Sequence, residues 1–129
     1  MSYCVGILTK FGLAFMSDTR TNAGLDDLSQ FKKLFTWGRS DDRLFTLLSA
    51  GNLATTQAVV SEIEQDFKKS KGRLLNCQSM FEVAEFVGQH LHDKVKKHSG
   101  NEINAESTFK ASLILGGQIK GSKPSLFLI

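Results

Sequence analysis

Ser2 is the residue whose type and place most directly suggest chemistry, because removal of Met1 would leave a hydroxyl and a free α-amine on one residue. An α-amine has an ordinary pKa of about 7.7–8.0, so near neutral pH it can accept a proton that an amide nitrogen cannot. A nucleophile whose own amine serves as its base is one established solution for acyl transfer. A serine in second place is also common, and an inert, frayed terminus explains it as well. The following residues give the pair a setting. Residues 3–9 read as a strand, Lys10-Phe11-Gly12 as a tight turn with Gly12 supplying a positive φ, and residues 13–18 as the return strand. A turn over those three residues pairs Thr9 with Leu13, which sets Ser2 opposite Arg20 and Cys4 opposite Asp18. A shift of one residue would move those groups to the other face. On this geometry alone, Asp18 and Arg20 read better as a solvated ion pair at a strand end than as parts of a site.

Other chemistry-bearing residues carry less. His90, His92 and His98 do not form a zinc motif, since His90 and His92 point to different sides of a helix and no third ligand is evident. They read as surface histidines. No Gly-x-x-x-x-Gly-Lys pattern cradles a phosphate. Cys4 and Cys77 lack metal-ligand spacing and read as two free thiols, Cys4 as a small buried side chain. Neither a metal nor a cofactor is expected. The net charge of +3 gathers in Lys68-Lys69-Ser70-Lys71 and Lys94-Val95-Lys96-Lys97-His98, both near predicted helix C-termini where cations offset the helix dipole. Nucleic-acid binding is therefore not inferred. No apolar run approaches the ~20 residues that cross a bilayer, and the N-terminus lacks the pattern of a secretory signal, so a cytoplasmic address without membrane contact is the expectation.

Behind the first hairpin, a second is expected across Ser40-Asp41-Asp42, with strands near Lys33–Trp37 and Leu44–Ser49. A long helix follows Ala50-Gly51-Asn52, with Leu53, Val60, Ile63 and Phe67 at helical spacing, and ends at Gly72. A second helix runs from Ser79 to His98, with Phe81, Val83, Ala84, Phe86, Val87 and Leu91 on its apolar side. Ser79 and Glu82 form its capping box. Residues 109–115 form a strand, and Gly116-Gly117 leads to a closing apolar segment. This order of strands, helices and strands indicates an α+β fold with antiparallel pairing, in one domain over 1–129. The final Leu126-Phe127-Leu128-Ile129 stops inside what reads as a buried strand, which points to a domain whose C-terminal part is missing.

Four blocks in succession carry a resemblance: Ser2-Tyr3-Cys4-Val5-Gly6, Ser17-Asp18-Thr19-Arg20-Thr21-Asn22-Ala23-Gly24, Phe31-Lys32-Lys33-Leu34, and Ser49-Ala50-Gly51-Asn52-Leu53-Ala54. In order and spacing the chain resembles proteasome β subunits, which are N-terminal nucleophile hydrolases of the threonine peptidase type. More narrowly it resembles the bacterial proteasome-like Anbu proteins. The resemblance implies a four-layer αββα sandwich, of which this chain covers roughly the first half. It implies roles as well. Ser2 stands for the family's threonine nucleophile and Asp18 for the aspartate that holds the catalytic lysine. Lys33 stands for that lysine, with Lys32 as an outward-facing neighbour. Gly51 stands for the glycine whose N–H stabilises the oxyanion. Arg20 stands for the polar position that supports the substrate-binding loop, Thr21 to Gly24, of which Thr21 and Asn22 are the first residues. The implied activity is hydrolysis of peptide bonds, in peptide or unfolded protein, within a large homo-oligomer. The family's further serine and aspartate that orient the amine come from a later segment than Ile129, so a lapsed subunit that keeps the fold for assembly is the alternative.

Overall fold

The computed structural model describes residues 2–22, 28–100 and 106–129. Its elements are strands β1 (Cys4–Thr9), β2 (Gly12–Ser17), β3 (Arg20–Asn22), β4 (Leu28–Gln30), β5 (Leu34–Arg39) and β6 (Arg43–Gly51), helices α1 (Leu53–Lys68), α2 (Arg73–Asn76), α3 (Met80–Ser99) and α4 (Glu106–Phe109), and strands β7 (Ala111–Ile119) and β8 (Ser125–Leu128). The β5-β6-β7-β8 sheet is antiparallel throughout, and β1-β2 and β3-β4 are separate two-stranded sheets.

Alternation along the central strands divides the molecule into layers. Odd-numbered residues of β6 and β7, namely Phe45, Leu47, Leu113, Leu115 and Ile119, join Val59, Val60 and Ile63 of α1 and Met80, Val83, Phe86, Val87 and Leu91 of α3 in one core. Even-numbered residues face the other way, toward the β1-β2 hairpin. The Phe15 ring lies over Gly116, and a side chain at Gly6 would strike Ile114 and Leu126. The order is therefore helices, four-stranded sheet, hairpin. The closing apolar segment is a true strand: β8 pairs with β7, and Ile129 exchanges two backbone hydrogen bonds with Leu113.

The α+β class with antiparallel pairing is as expected. The strand expected over 109–115 instead starts at Ala111 and runs through Gly116 and Gly117 to Ile119, and four further details differ. The first hairpin turns on Lys10 and Phe11 alone, so Thr9 faces Gly12 and Cys4 faces Ser17. The Thr9 hydroxyl causes this tightening, accepting from Phe11 N–H and donating to the Gly12 carbonyl, each at 3.1 Å. That moves the expected Ser2–Arg20 and Cys4–Asp18 pairings by one residue and puts Asp18 beside Tyr3, where Asp18 N–H donates to Tyr3 O. Second, α1 stops at Lys68, before Gly72, because Asp66 at its end accepts from the Arg73 and Leu74 amides and so starts α2. Third, Met80 faces the core and Phe81 is exposed, since the buried spacing of α3 runs 80, 83, 87, 91. Fourth, Glu82 completes its cap on Gln78 N–H at 2.9 Å, one residue before Ser79. The outward face of the hairpin exposes Tyr3, Ile7 and Met16.

Candidate active site

Lys33 lies just before β5 and is 5% exposed, the only buried lysine among the described residues. Burying an ammonium is costly unless it is paired and hydrogen-bonded. Lys33 Nζ meets that condition twice, donating to Asp18 Oδ1 at 2.8 Å and to the backbone carbonyl of Arg20. Asp18 Oδ1 also accepts from the Tyr3 amide at 3.0 Å. One carboxylate oxygen thus joins the chain just after Ser2 to the lysine, so the Tyr3 nitrogen is within two hydrogen-bond lengths of Nζ. Ser2 itself is half-buried. Lys32 points away, its ammonium 5.3 Å from the centre of the Phe35 ring.

The Lys33 hydrogen bond, followed by the Tyr3 amide, holds the Asp18 carboxyl below its ordinary 3.8. A carboxyl more acidic folded than unfolded gives linked stabilisation that is complete above its ordinary value. That stabilisation is lost as pH falls through 3.8 toward the folded value. An NMR titration of the Asp18 carboxyl carbon is therefore expected to show a midpoint below 3.8 in the wild type and a rise toward it in Lys33→Met. A wild-type midpoint at or above the ordinary value would refute the pairing.

Gly51 closes β6 with φ +104°, and a side chain there would strike the Lys110 carbonyl and Ala111 Cα. The ladder fixes the direction of its N–H. Ser49 N–H donates to Lys33 O on the β5 side and Asn52 N–H to Lys110 O on the β7 side. Odd-numbered amides of β6 therefore face β5, and Gly51 N–H faces the space beyond Lys33. Phe31 has turned away there, its own amide donating to Thr19 O.

The remaining candidates are placed differently from one another. Arg20 contributes its carbonyl to Lys33 while its side chain is exposed. Thr21 and Asn22 pair in β3 with Ser29 and Leu28, while Ala23 and Gly24 lie outside the described residues. Cys4 is half-buried and not core. Its thiol donates to Ser49 O at 3.6 Å, and burial raises its pKa against the lowering pull of Lys33, so it stays protonated at neutral pH. Cys77 is buried with its thiol pKa raised in the same way. His92 is exposed, while the other two histidines are partly covered: His90 packs on Phe86 with ring centres 4.2 Å apart, and His98 on Phe109. Among the described residues no group of three His, Cys, Asp or Glu could hold a metal, and no helix is long and apolar enough to cross a membrane. The feature that sequence reasoning missed is the carbonyl of Arg20 as a lysine ligand, for which no side-chain pattern exists.

Antiparallel sheets stacked face to face under a helical layer, with a paired, buried lysine just before β5, match the fold of the N-terminal nucleophile hydrolases. Within that class the chain belongs to the Anbu proteasome-like family, the ancestral β subunits. Anbu from Yersinia bercovieri matches with 38% identity and a TM-score of 0.88 over 100% of this chain and 52% of its own. The helical assembly of the Anbu complex from Pseudomonas aeruginosa matches with 36% identity and a TM-score of 0.88, over 100% and 53%. Anbu from Hyphomicrobium sp. strain MC1 matches with 39% identity and a TM-score of 0.79, over 100% and 52%. The chain thus spans about half the length of these solved structures. No family model and no curated protein matches it.

Proposed function

We propose that this chain carries the nucleophile half of a peptide-bond hydrolase site, with Ser2 as nucleophile once Met1 is removed. The observation that carries the reading is the Asp18 carboxylate oxygen shared between the Tyr3 amide and the Lys33 ammonium. It ties the N-terminus to a buried positive charge, which favours ionisation of a nearby hydroxyl. In this reading Ser2 Oγ attacks the carbonyl carbon of a peptide bond and passes its proton to the α-amine. The C–O bond forms and the carbonyl oxygen, now negative, accepts from Gly51 N–H. As the C–N bond breaks, the amine hands its proton to the leaving nitrogen. Water then displaces the acyl group through the same base and restores the hydroxyl. Arg20, Thr21 and Asn22 line the approach of an extended peptide. Self-association into a large homo-oligomer is proposed in line with the helical assembly of the Pseudomonas aeruginosa protein.

Intact-mass measurement after treatment with a β-lactone or epoxyketone probe tests the proposal. The expected result is a chain lacking Met1 and carrying one adduct on Ser2. Retained Met1 with an unmodified Ser2 would overturn it. That outcome would favour a second reading, a lapsed subunit kept for assembly.

A further inference from the structure

The turn that carries Gly51 is fastened to a segment more than fifty residues away by an unusual run of contacts. Three consecutive carbonyls, those of Thr108, Phe109 and Lys110, are each taken by a donor from Asn52 or Thr55. Asn52 Nδ2 donates to Thr108 O at 3.2 Å, Thr55 Oγ1 to Phe109 O at 2.9 Å, and Asn52 N–H to Lys110 O at 3.0 Å. Asn52 Oδ1 meanwhile accepts from Thr55 N–H at 3.0 Å, which caps α1. Thr55 is fully buried. Its single hydroxyl proton is spent on Phe109 O, so toward His98 Nδ1, 3.4 Å away, it can only accept. His98 in turn packs its ring on Phe109. Helix capping alone needs only Asn52 Oδ1, as the accepting oxygen of an N-cap. The two side-chain donors to residues 108 and 109 are surplus to that task.

Their effect falls on the neighbouring glycine. Gly51 is wedged at positive φ against the backbone of Lys110 and Ala111. Any slip of that backbone would rotate the Gly51 peptide, and a donor must be held to within about 0.5 Å and 10–20° to serve a developing charge. We infer that Asn52 and Thr55 are positioning residues that brace the Gly51 N–H by gripping residues 108–110. The inference rests on the proposed role of Gly51 as oxyanion donor.

The test uses the full, ¹⁵N-labelled chain and a peptide boronate, whose boron accepts the Ser2 oxygen and becomes tetrahedral with a hydroxyl where the oxyanion would sit. Three variants separate bracing from capping. Asn52→Asp keeps the capping oxygen and loses the donor to Thr108. Thr55→Val removes the donor to Phe109 without adding charge. Thr55→Ser keeps the hydroxyl. In the wild type the Gly51 amide proton is expected to move downfield on titration. Asn52→Asp and Thr55→Val are expected to lose that shift and to bind about tenfold more weakly, the scale of one hydrogen bond lost. Both should keep the amide spectrum of α3, and Thr55→Ser should behave as wild type. If Thr55→Val responds at Gly51 as the wild type does, the brace is refuted while the role of Gly51 stands. A wild-type chain that binds boronate with no change at Gly51 removes both. A chain that does not bind boronate at all removes the nucleophile reading and the brace with it.

Discussion

Replacing Lys33 with methionine is expected to slow covalent capture of Ser2 by a β-lactone probe by about 10²–10⁴-fold, the range of a positioned proton-transfer group. Methionine is chosen because it is long, flexible and apolar, and so fills the buried space without leaving a charge there. Asp18 survives the change, being one-third exposed and still bonded to the Tyr3 amide, so hydration and that amide keep it ionised and the hairpin docked. What is lost is the ammonium held 2.8 Å from the same oxygen that holds the chain beside Ser2. Lys32→Met is the matching control, since its ammonium lies over Phe35 outside the site, and it should label at the wild-type rate. Time-resolved intact-mass spectra of the two variants and of Ser2→Ala decide the matter. Equal labelling of Lys33→Met and wild type would leave the lysine as a structural cation only.

The difference between Lys32 and Lys33 also shows how far sequence reasoning reached. Alternation of side chains in an extended segment says that two adjacent lysines diverge, and the block order shared with Anbu proteins names which one turns inward. Strands, helices and the capping serine of α3 followed from apolar period and cap chemistry. The hairpin register did not, because the choice between a two-residue and a three-residue turn depended on hydrogen bonds of the Thr9 hydroxyl, which pattern alone does not reveal. The contribution of Arg20 was similarly hidden. A carbonyl carries no side-chain signature, so the residue's guanidinium drew attention to the wrong group. The brace around Gly51 was out of reach for another reason: Asn52 and Thr108 are far apart in sequence, and both are residue types that solvent-facing loops use freely. The buried pair Thr55 and Thr56 was missed on α1 because hydroxyl side chains weaken the apolar stripe that marks a buried face.

Phe45→Ala is expected to cost about 3–5 kcal/mol, as large as any single core truncation. Phe45 is 1% exposed at the centre of the four-stranded sheet, paired with Trp37 on β5 and Gly117 on β7. Its ring meets Phe67 of α1 edge-on with centres 6.2 Å apart. Glycine across the ladder has no side chain to move into the space, and the Met80 methyl already lies close over Gly117, so the surroundings cannot collapse far. A loss of this size is a large share of the 5–15 kcal/mol that holds a typical domain folded. Leu44→Ala offers the contrast, because the preceding residue of the same strand points to the opposite face and is 53% exposed. There the expected change is about 0.5 kcal/mol. Urea denaturation should show a much lower midpoint for Phe45→Ala at unchanged slope, and a nearly unchanged midpoint for Leu44→Ala. Equal shifts in the two variants would mean that the odd-numbered side of β6 is not the side packed under the helices. The same alternation sends the Gly51 amide toward Lys33, so that result would remove the geometric basis of the site as well.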